Sequence, residues 1–387
     1  MADFTEKRTL SITCPLGLAP YLTEEVRTLG FEPQNERETG LEISASLNDS
    51  VLLNYSLRTA HRIHCLIDQS NIASAKDLRT WIKRLPWEEW IPHDGYFSVT
   101  SRVDHPEIRN DQFANLVVKD AVADRIRFKK NVRPDSGSDL KKTVLFLFWN
   151  RETARIFVDT SGESLSRRNY RTQSTQAPMQ ESLAAALVMA SGWKPGEHFI
   201  NPMAGSGTLA IEAVLQGLNR APASLRNNFG FMHLVGYDLE NYQQVREKAK
   251  KSSLKELDGK IIATDMDPAA IVAAKKNATT AGVDHLIHFE RCELHETPVP
   301  EGDGIVLLNP PYGLRLDDTD LRPLYGSIGD FLKQKCAGKT GYVFTGNLKL
   351  AKKIGLRATS RQTFHNSTVE CRLLRYDIYS GSPDSKT

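Results

Sequence analysis

Short, wholly apolar runs mark the second half of this chain. Ile305-Val306-Leu307-Leu308 is the clearest, an apolar stretch ended abruptly by Asn309-Pro310-Pro311-Tyr312-Gly313. A strand with no polar alternation is buried on both faces, as in parallel sheets. The prolines stop it, because each fixes φ and neither donates to a sheet ladder. His198-Phe199-Ile200, Ile261-Ile262-Ala263-Thr264 and the runs at 286–289 and 341–345 read as further strands. Between them, helical spacing covers 179–190, the stretch from Thr208 to about Gln216, a long insertion to Lys260 with a basic helix at 245–255, and 321–336. Such alternation predicts an open α/β sheet. A final strand pair is expected at 359–365 and 370–379, with a polar, fraying end after Tyr379.

The first half is patterned differently. Residues 8–69 read β-α-β-β-α-β, the ferredoxin-like split βαβ order. A helix at 18–29 stops at Gly30, Thr39-Gly40 turns a hairpin, and Asn48 or Asp49 is placed to cap a helix running to Arg58. His61 and His64 fall in a strand at 61–68 and read as packing residues, not ligands. Residues 74–160 continue α-β-α-β-β. Their long helix, 111–128, is expected to turn Phe113, Leu116, Val117, Ala121 and Ile126 inward, and 143–149 pairs with 154–159 as a hairpin.

Composition adds bounds. The 387 residues suffice for two or three domains, and 25% charged with 40% hydrophobic residues is ordinary soluble usage. No run approaches a membrane span and the N-terminus lacks an apolar signal core, so the expectation is a cytoplasmic protein with no membrane partner. Cys14, Cys65, Cys292, Cys336 and Cys371 form no CxxC pair, which argues against a zinc site or disulfide framework; no metal is expected.

Net charge is only +3, but residues 123–175 hold 12 Lys/Arg against 6 Asp/Glu. Within this segment Arg127, Lys129, Lys130 and Arg133 interleave with apolar residues, which suits phosphate contacts; basic residues at a helix end also complement its dipole. Downstream, Arg167, Arg168, Tyr170 and Arg171 could grip an RNA backbone and stack a base, or simply open an interdomain linker whose polar run continues to Ala177-Pro178.

Three strand ends carry candidate chemistry. Asn201-Pro202-Met203-Ala204-Gly205-Ser206-Gly207-Thr208 is a glycine loop between strand and helix, where backbone N–H groups can approach a ligand closely. Gly205-x-Gly207-x-x-Ala210 also fits a dinucleotide fingerprint. Asp265-Met266 ends the next strand, where an acid can accept from both ribose hydroxyls, and Asp267 suits a helix cap. Asn309 to Tyr312 suits transfer to a planar amino group. The lone pair of such an amine is delocalised into its ring. Acceptors at the Asn309 side chain and the Pro310 carbonyl can favour a tetrahedral, nucleophilic nitrogen, while Tyr312 stacks on the base.

These motifs, in this order, resemble the S-adenosylmethionine-dependent amino-methyltransferases. Joined to Ser-Leu-Ser-Arg-Arg-Asn-Tyr-Arg at 164–171 and Ala-Pro-Met-Gln-Glu-Ser-Leu-Ala-Ala-Ala at 177–186, they resemble the THUMP-containing RNA methyltransferases, in particular those making N2-methylguanosine in large-subunit ribosomal RNA. The likeness covers nearly the whole chain and is strongest from Ser161 onward. It implies a ferredoxin-like domain at 1–70, a THUMP RNA-binding domain at 71–165, and a linker with a Rossmann-like methyltransferase domain at 166–380. The fold class is thus α/β plus α+β. It further implies that Asn201, Ala204, Gly205, Ser206, Gly207 and Thr208 hold the methionine part of the cofactor. Asp265 and Met266 would hold ribose, Cys292 and Glu293 adenine, and Asn309, Pro310, Pro311 and Tyr312 the target amine. Asn201 and Glu293 stand where the family more often has Asp, so altered cofactor affinity is expected. One glycine loop and one Asn-Pro-Pro-Tyr imply the form with a single methyltransferase domain.

The expected function is guanine-N2 methylation of 23S-type ribosomal RNA, naked or in a pre-50S particle; the sequence does not fix the oligomeric state, and a monomer is favoured. Adenine in RNA or DNA is the chemical alternative. A nicotinamide oxidoreductase leaves Asn-Pro-Pro-Tyr unexplained and places its acid far beyond the roughly 20 residues such folds use. A non-catalytic RNA-binding assembly factor that keeps the fold is the remaining alternative.

Overall fold

The computed structural model describes residues 3–106, 108, 110–173, 179–313 and 320–379. Ala177-Pro178 and the polar tail after Tyr379, read above as linker and fraying end, lie outside these residues. The first half runs β1 (Arg8–Thr13), α1 (Ala19–Thr28), β2 (Gln34–Arg37), β3 (Gly40–Ala45), α2 (Leu47–Ser56), β4 (Arg62–Asn71), α3 (Ala75–Arg84), β5 (Tyr96–Asp104), α4 (Asp111–Lys130), β6 (Asp135–Gly137), β7 (Thr143–Asn150) and β8 (Thr153–Asp159). The second runs α5 (Glu181–Ser191), β9 (His198–Pro202), α6 (Thr208–Gly217), α7 (Leu239–Ser252), β10 (Ile261–Asp265), α8 (Pro268–Ala281), β11 (Ile287–Arg291), β12 (Gly304–Leu308), α9 (Arg322–Lys335), β13 (Thr340–Thr345), α10 (Leu348–Ala351), β14 (Ser360–Asn366) and β15 (Val369–Asp377).

Two compact units form. The first comprises Met1–Cys14, Leu22–Arg167 and Arg226–Ala249; the second comprises Pro15–Tyr21, Arg168–Leu225 and Lys250–Thr387.

In the first unit one eight-stranded sheet runs β2-β3-β1-β4-β8-β7-β5-β6. The order β2-β3-β1-β4 is the expected split βαβ, with β1 antiparallel to both neighbours. Strand β4 then pairs antiparallel with β8, Cys65 opposite Val158, so the sheet continues unbroken across residue 70. Trp87, Phe97 and Trp149 are fully buried in this unit.

Two sequence expectations fail here for local reasons. Ser46, not Asn48 or Asp49, caps α2; Asp49 is the reciprocal partner, accepting from the Ser46 backbone N–H at 2.8 Å while its own N–H donates to the Ser46 hydroxyl at 3.1 Å. On α4, Phe113 and Leu116 point outward, 48% and 52% exposed, and the buried stripe is Ala114, Val118, Ala121, Val122 and Ile126. Two apolar stripes share this helix, and the one with small side chains lets it approach its neighbours more closely.

A third difference concerns Arg226–Ala249, which sits within the stretch assigned by sequence to the C-terminal domain but belongs to the first unit. The Arg226 guanidinium explains it, donating to the carbonyls of Ser164 at 2.7 Å, Glu163 at 3.1 Å and Ser161 at 3.2 Å. Phe229 stacks on Phe231 at 5.0 Å, and Tyr242 meets Tyr55 edge-on at 6.3 Å.

The second unit is built on a seven-stranded sheet, β11-β10-β9-β12-β13-β15-β14. Strands β11 to β13 are parallel, and β15 is antiparallel to both β13 and β14. Ile305 to Leu308 are buried, as an unbroken apolar run requires. Chain order runs outward from β9 to β10 and β11 on one side and from β12 to β13 on the other. The topological switch point therefore lies between β9 and β12, outside whose carboxyl ends ligands bind in such sheets. This is a Rossmann-like α/β unit. Among the described residues no helix is long and apolar enough to cross a membrane.

Candidate active site

The switch point brings two asparagines to adjacent strand ends. β9 and β12 run parallel, Val306 opposite Ile200. Asn201, fully buried at the end of β9, donates from Nδ2 to the Leu307 carbonyl of β12 at 2.8 Å. Its Oδ1 is buried with no hydrogen-bond donor, and so is Oδ1 of Asn309, the residue after β12. A buried acceptor left unpaired costs about 1–3 kcal/mol, so folded proteins keep few of them. Two at neighbouring strand ends suit a ligand that carries N–H or O–H donors.

The glycine loop after β9 is preformed. Met203, Gly205 and Gly207 have φ of +55°, +56° and +79°, the left-handed region. The Ala204 N–H donates to the Thr264 carbonyl, and the Gly207 N–H to the Ala204 carbonyl, both at 2.9 Å. Asp265, at the end of β10, accepts from the Gly205 N–H at 2.9 Å and from the Asp267 N–H at 3.0 Å. Its carboxylate therefore fixes the loop and keeps lone pairs for further donors. Asp267 is the α8 cap, accepting from the Ala269 N–H at 2.8 Å. A Cβ on Gly207 would lie 2.9 Å from the Ala274 Cβ, so packing against α8 alone demands glycine there. Ser206 and Thr208 are buried, their hydroxyls 3.3 Å apart.

Beyond β11, the Cys292 N–H donates to the Asp265 carbonyl at 3.3 Å, which draws that turn toward the same edge. Burial raises the Cys292 thiol pKa, while the Thr297 and Thr264 hydroxyls work against that rise. Glu293 is exposed, its N–H donating to Glu296 Oε2 at 3.0 Å, and Met266 is 62% exposed.

The Asn-Pro-Pro-Tyr loop is stapled from behind by residues no sequence motif had marked. Asn366 Nδ2 donates to the Tyr312 hydroxyl at 2.8 Å, and Asn347 Nδ2 to the Tyr312 carbonyl at 3.4 Å. The Tyr325 hydroxyl lies 3.3 Å from the Pro311 carbonyl, to which it donates, and 2.8 Å from Thr345 Oγ1; burial pushes its pKa up to about 12. Tyr312 itself is half-buried and Pro311 exposed.

Arg168 and Tyr170, expected to face RNA, do not. Both are fully buried: Arg168 Nε donates to Glu212 Oε1 at 3.1 Å and the Tyr170 hydroxyl to the same oxygen at 3.0 Å. Burial, then Glu212, hold the Tyr170 phenol pKa well above its ordinary value. Arg171 is also turned inward, with Nη2 donating to Thr208 Oγ1 at 3.2 Å and Nε 3.3 Å from Glu181 Oε1. Of this group only Arg167 is exposed, 3.4 Å from Glu163. These three inward residues anchor the segment to α6, the helix that follows the glycine loop.

Asn277 on α8 is a further residue the sequence did not announce. Its Oδ1 accepts from the N–H groups of Thr172 and Gln173 at 2.9 and 3.1 Å, and its Nδ2 donates to the carbonyls of Gln173 and Ser206 at 2.9 and 3.1 Å. It joins the incoming segment to the glycine loop. In the first unit, by contrast, Arg127, Lys129, Lys130 and Arg133 are exposed at and just beyond the end of α4.

A Rossmann-like sheet with a glycine loop, an acid after the second strand and Asn-Pro-Pro-Tyr after the fourth defines a methyltransferase domain. Residues 168–375 match the family UPF0020, RMKL-like, methyltransferase domain, and the chain belongs to it. Residues 9–64 match the RlmL ferredoxin-like domain and 73–159 the THUMP domain. The ribosomal RNA large subunit methyltransferase K/L of Syntrophotalea carbinolica is 37% identical over 95% of this chain and 53% of its own length. The chain thus spans about half the length of that relative. The structure of SMU.472 complexed with SAH aligns with a TM-score of 0.88 at 25% identity, covering 97% of this chain and all of that one. A Listeria monocytogenes structure titled as a predicted N6-adenine-specific DNA methylase aligns with a TM-score of 0.86 at 28% identity, covering 96% of this chain and 97% of its own.

Proposed function

We propose that this chain methylates the exocyclic 2-amino group of a guanine in 23S-type ribosomal RNA, naked or within a pre-50S particle, with S-adenosylmethionine as cofactor. The observation that carries the reading is the unpaired, buried Oδ1 of Asn309 beside the glycine-loop strand. The large-subunit ribosomal RNA methyltransferases among its relatives support the substrate class, and the SAH complex of SMU.472 supports the cofactor.

The residues present fit that cofactor. Internal hydrogen bonds hold the Ala204–Thr208 turn in a preformed shape with no side chain at 205 or 207, Asp265 keeps acceptor capacity for hydroxyls, and Asn201 Oδ1 is an acceptor awaiting a donor. Met266, Cys292 and Glu293 stand at the same sheet edge, after β10 and β11. When bound, S-adenosylmethionine supplies an electrophilic methyl group with a good leaving group. The chain's own task is then orientation. Asn309 Oδ1 and the Pro310 carbonyl accept the two amino N–H bonds and aim the nitrogen lone pair, and Tyr312 stacks on the base. A strong general base is not needed, because the nitrogen becomes acidic only as the new bond forms.

RNA capture falls to the first unit, through Arg127, Lys129, Lys130, Arg133 and the exposed Arg167. The protein works as a monomer in the cytoplasm. Adenine is the second reading, favoured by the name of the Listeria monocytogenes relative and by the chemical likeness of the two amino groups. Labelled methyl transfer to ribosomal RNA lacking modifications, followed by digestion to nucleosides, tests both. N2-methylguanosine supports the proposal, N6-methyladenosine selects the second reading, and absence of transfer to that RNA, to undermodified pre-50S particles and to unmethylated DNA refutes both.

A further inference from the structure

Phe128 lies in the last turn of α4 and is 80% exposed. A single exposed aromatic is unremarkable on its own. Its surroundings are not: Arg127, Lys129 and Lys130 adjoin it, Arg133 follows, and all four are exposed. The Lys129 ammonium lies 5.9 Å from the Phe128 ring centroid. Asn131, at φ +57°, ends the helix by donating its N–H to the Arg127 carbonyl at 2.9 Å, so Val132 and Arg133 leave at a sharp turn.

Two nearby carboxylates pair outside the cluster, and a third, Asp120, reaches Arg133 itself. Asp124 pairs with Arg79 at 2.9 Å, Glu88 with Arg125 at 2.7 Å, and Asp120 lies 3.7 Å from Arg133. Among the described residues none forms an ion pair with Arg127, Lys129 or Lys130.

We infer that Phe128 is a base-stacking residue inside a phosphate-binding collar, and that its partner is an unpaired nucleotide of the RNA. The charge selects a polyanion. The bare ring selects a base whose π-face is available, which a paired helix does not offer along its length. A second copy of this chain fits less well, since Lys129 lies 5.9 Å from the ring and Arg127, Lys130 and Arg133 add like charge to the same helix end. This inference rests on the RNA-methyltransferase reading and adds a residue and a substrate feature to it.

The two kinds of contact separate by salt. Stacking changes affinity without changing the salt slope, whereas each lost phosphate contact lowers the slope by about one. The probes are a short unpaired RNA and a fully paired RNA duplex of equal length, each end-labelled and titrated with the full chain at several salt concentrations. Phe128→Ala is expected to weaken binding of the unpaired RNA on the order of tenfold with an unchanged slope, to leave the duplex unaffected, and to leave the melting temperature unaltered. Phe128→Tyr should restore affinity. Lys129→Ala with Lys130→Ala should lower the slope for both RNAs. If the wild-type chain binds unpaired RNA and Phe128→Ala matches it, the inference fails while the RNA reading stands. An equal loss on both RNAs overturns the inference too, as does wild-type self-association that Phe128→Ala abolishes. If the wild-type chain binds neither RNA, both fall together.

Discussion

The loop after β12 and the segment around Tyr170 look alike as sequence. Each places one aromatic residue within three positions of a polar side chain, and each invites a base-binding reading. Folding treats them oppositely. Arg168, Tyr170 and Glu212 satisfy one another in the interior, at 3.0 and 3.1 Å. Asn309 is left with a buried acceptor and no donor, and so is Asn201 beside it. A buried polar group whose partners are all internal serves the fold. Beside the glycine loop, at the carboxyl ends of β9 and β12, the two missing partners suit a ligand's donors.

The sharpest way to break that contrast is to truncate Arg168. Arg168→Ala leaves the Glu212 carboxylate buried without its cation, and breaking such a pair costs roughly 3–5 kcal/mol. Urea unfolding of the full chain should show a transition at clearly lower denaturant, and Arg168→Met combined with Glu212→Leu should regain much of the loss. An unmoved midpoint would return Arg168 to the surface and to the RNA.

Asn277 tests the same side of the comparison at smaller scale. Asn277→Ala strands the N–H groups of Thr172 and Gln173 and frees the Ser206 carbonyl from its donor. We expect a loss of about 1–3 kcal/mol by the same unfolding measurement. Cofactor affinity should fall in parallel, because the glycine loop loses a tether. Stability that falls while cofactor affinity holds would detach Asn277 from the loop.

On the other side, Asn309→Ala should leave stability unchanged or improved, since it removes an unpaired acceptor. Turnover should drop at least about tenfold with cofactor binding intact. Single-turnover rates and calorimetry read the two effects separately. A variant at full rate would remove Asn309 from the chemistry.

Much of the strand framework was readable because it is written locally. Short apolar runs mark β9, β10 and β12, and proline stops β9 and β12. The residues that hold the site together were not readable, because their partners are distant. Glu212 lies 44 positions from Arg168, and Asn277 lies 105 from Thr172. Neither pairing leaves a periodic trace. The same limit explains Arg226–Ala249, whose unit is decided by an arginine reaching carbonyls about 60 residues upstream. On α4 the helix itself was legible, but spacing cannot say which of two apolar stripes the fold will cover.

The smallest expected effect separates the two halves of one side chain. At Asn201 the nitrogen is engaged with Leu307, as in the internally satisfied segment, and the oxygen is open, as in the Asn309 loop. Asn201→Asp keeps an acceptor and removes the donor to the Leu307 carbonyl; Asn201→Ala removes both. If the open oxygen is the working atom, calorimetry should find cofactor affinity within about threefold of wild type for Asp, and about fivefold weaker for Ala, near the worth of one hydrogen bond. Stability should fall by about 1 kcal/mol in Asn201→Ala, where Leu307 loses its donor, and by more in Asn201→Asp, where a buried carboxylate faces that carbonyl. Equal losses of affinity in the two variants would mean that the Leu307 tether, not the unpaired oxygen, is what the cofactor feels, and the contrast between satisfied and unsatisfied groups would then fail at the residue where both meet.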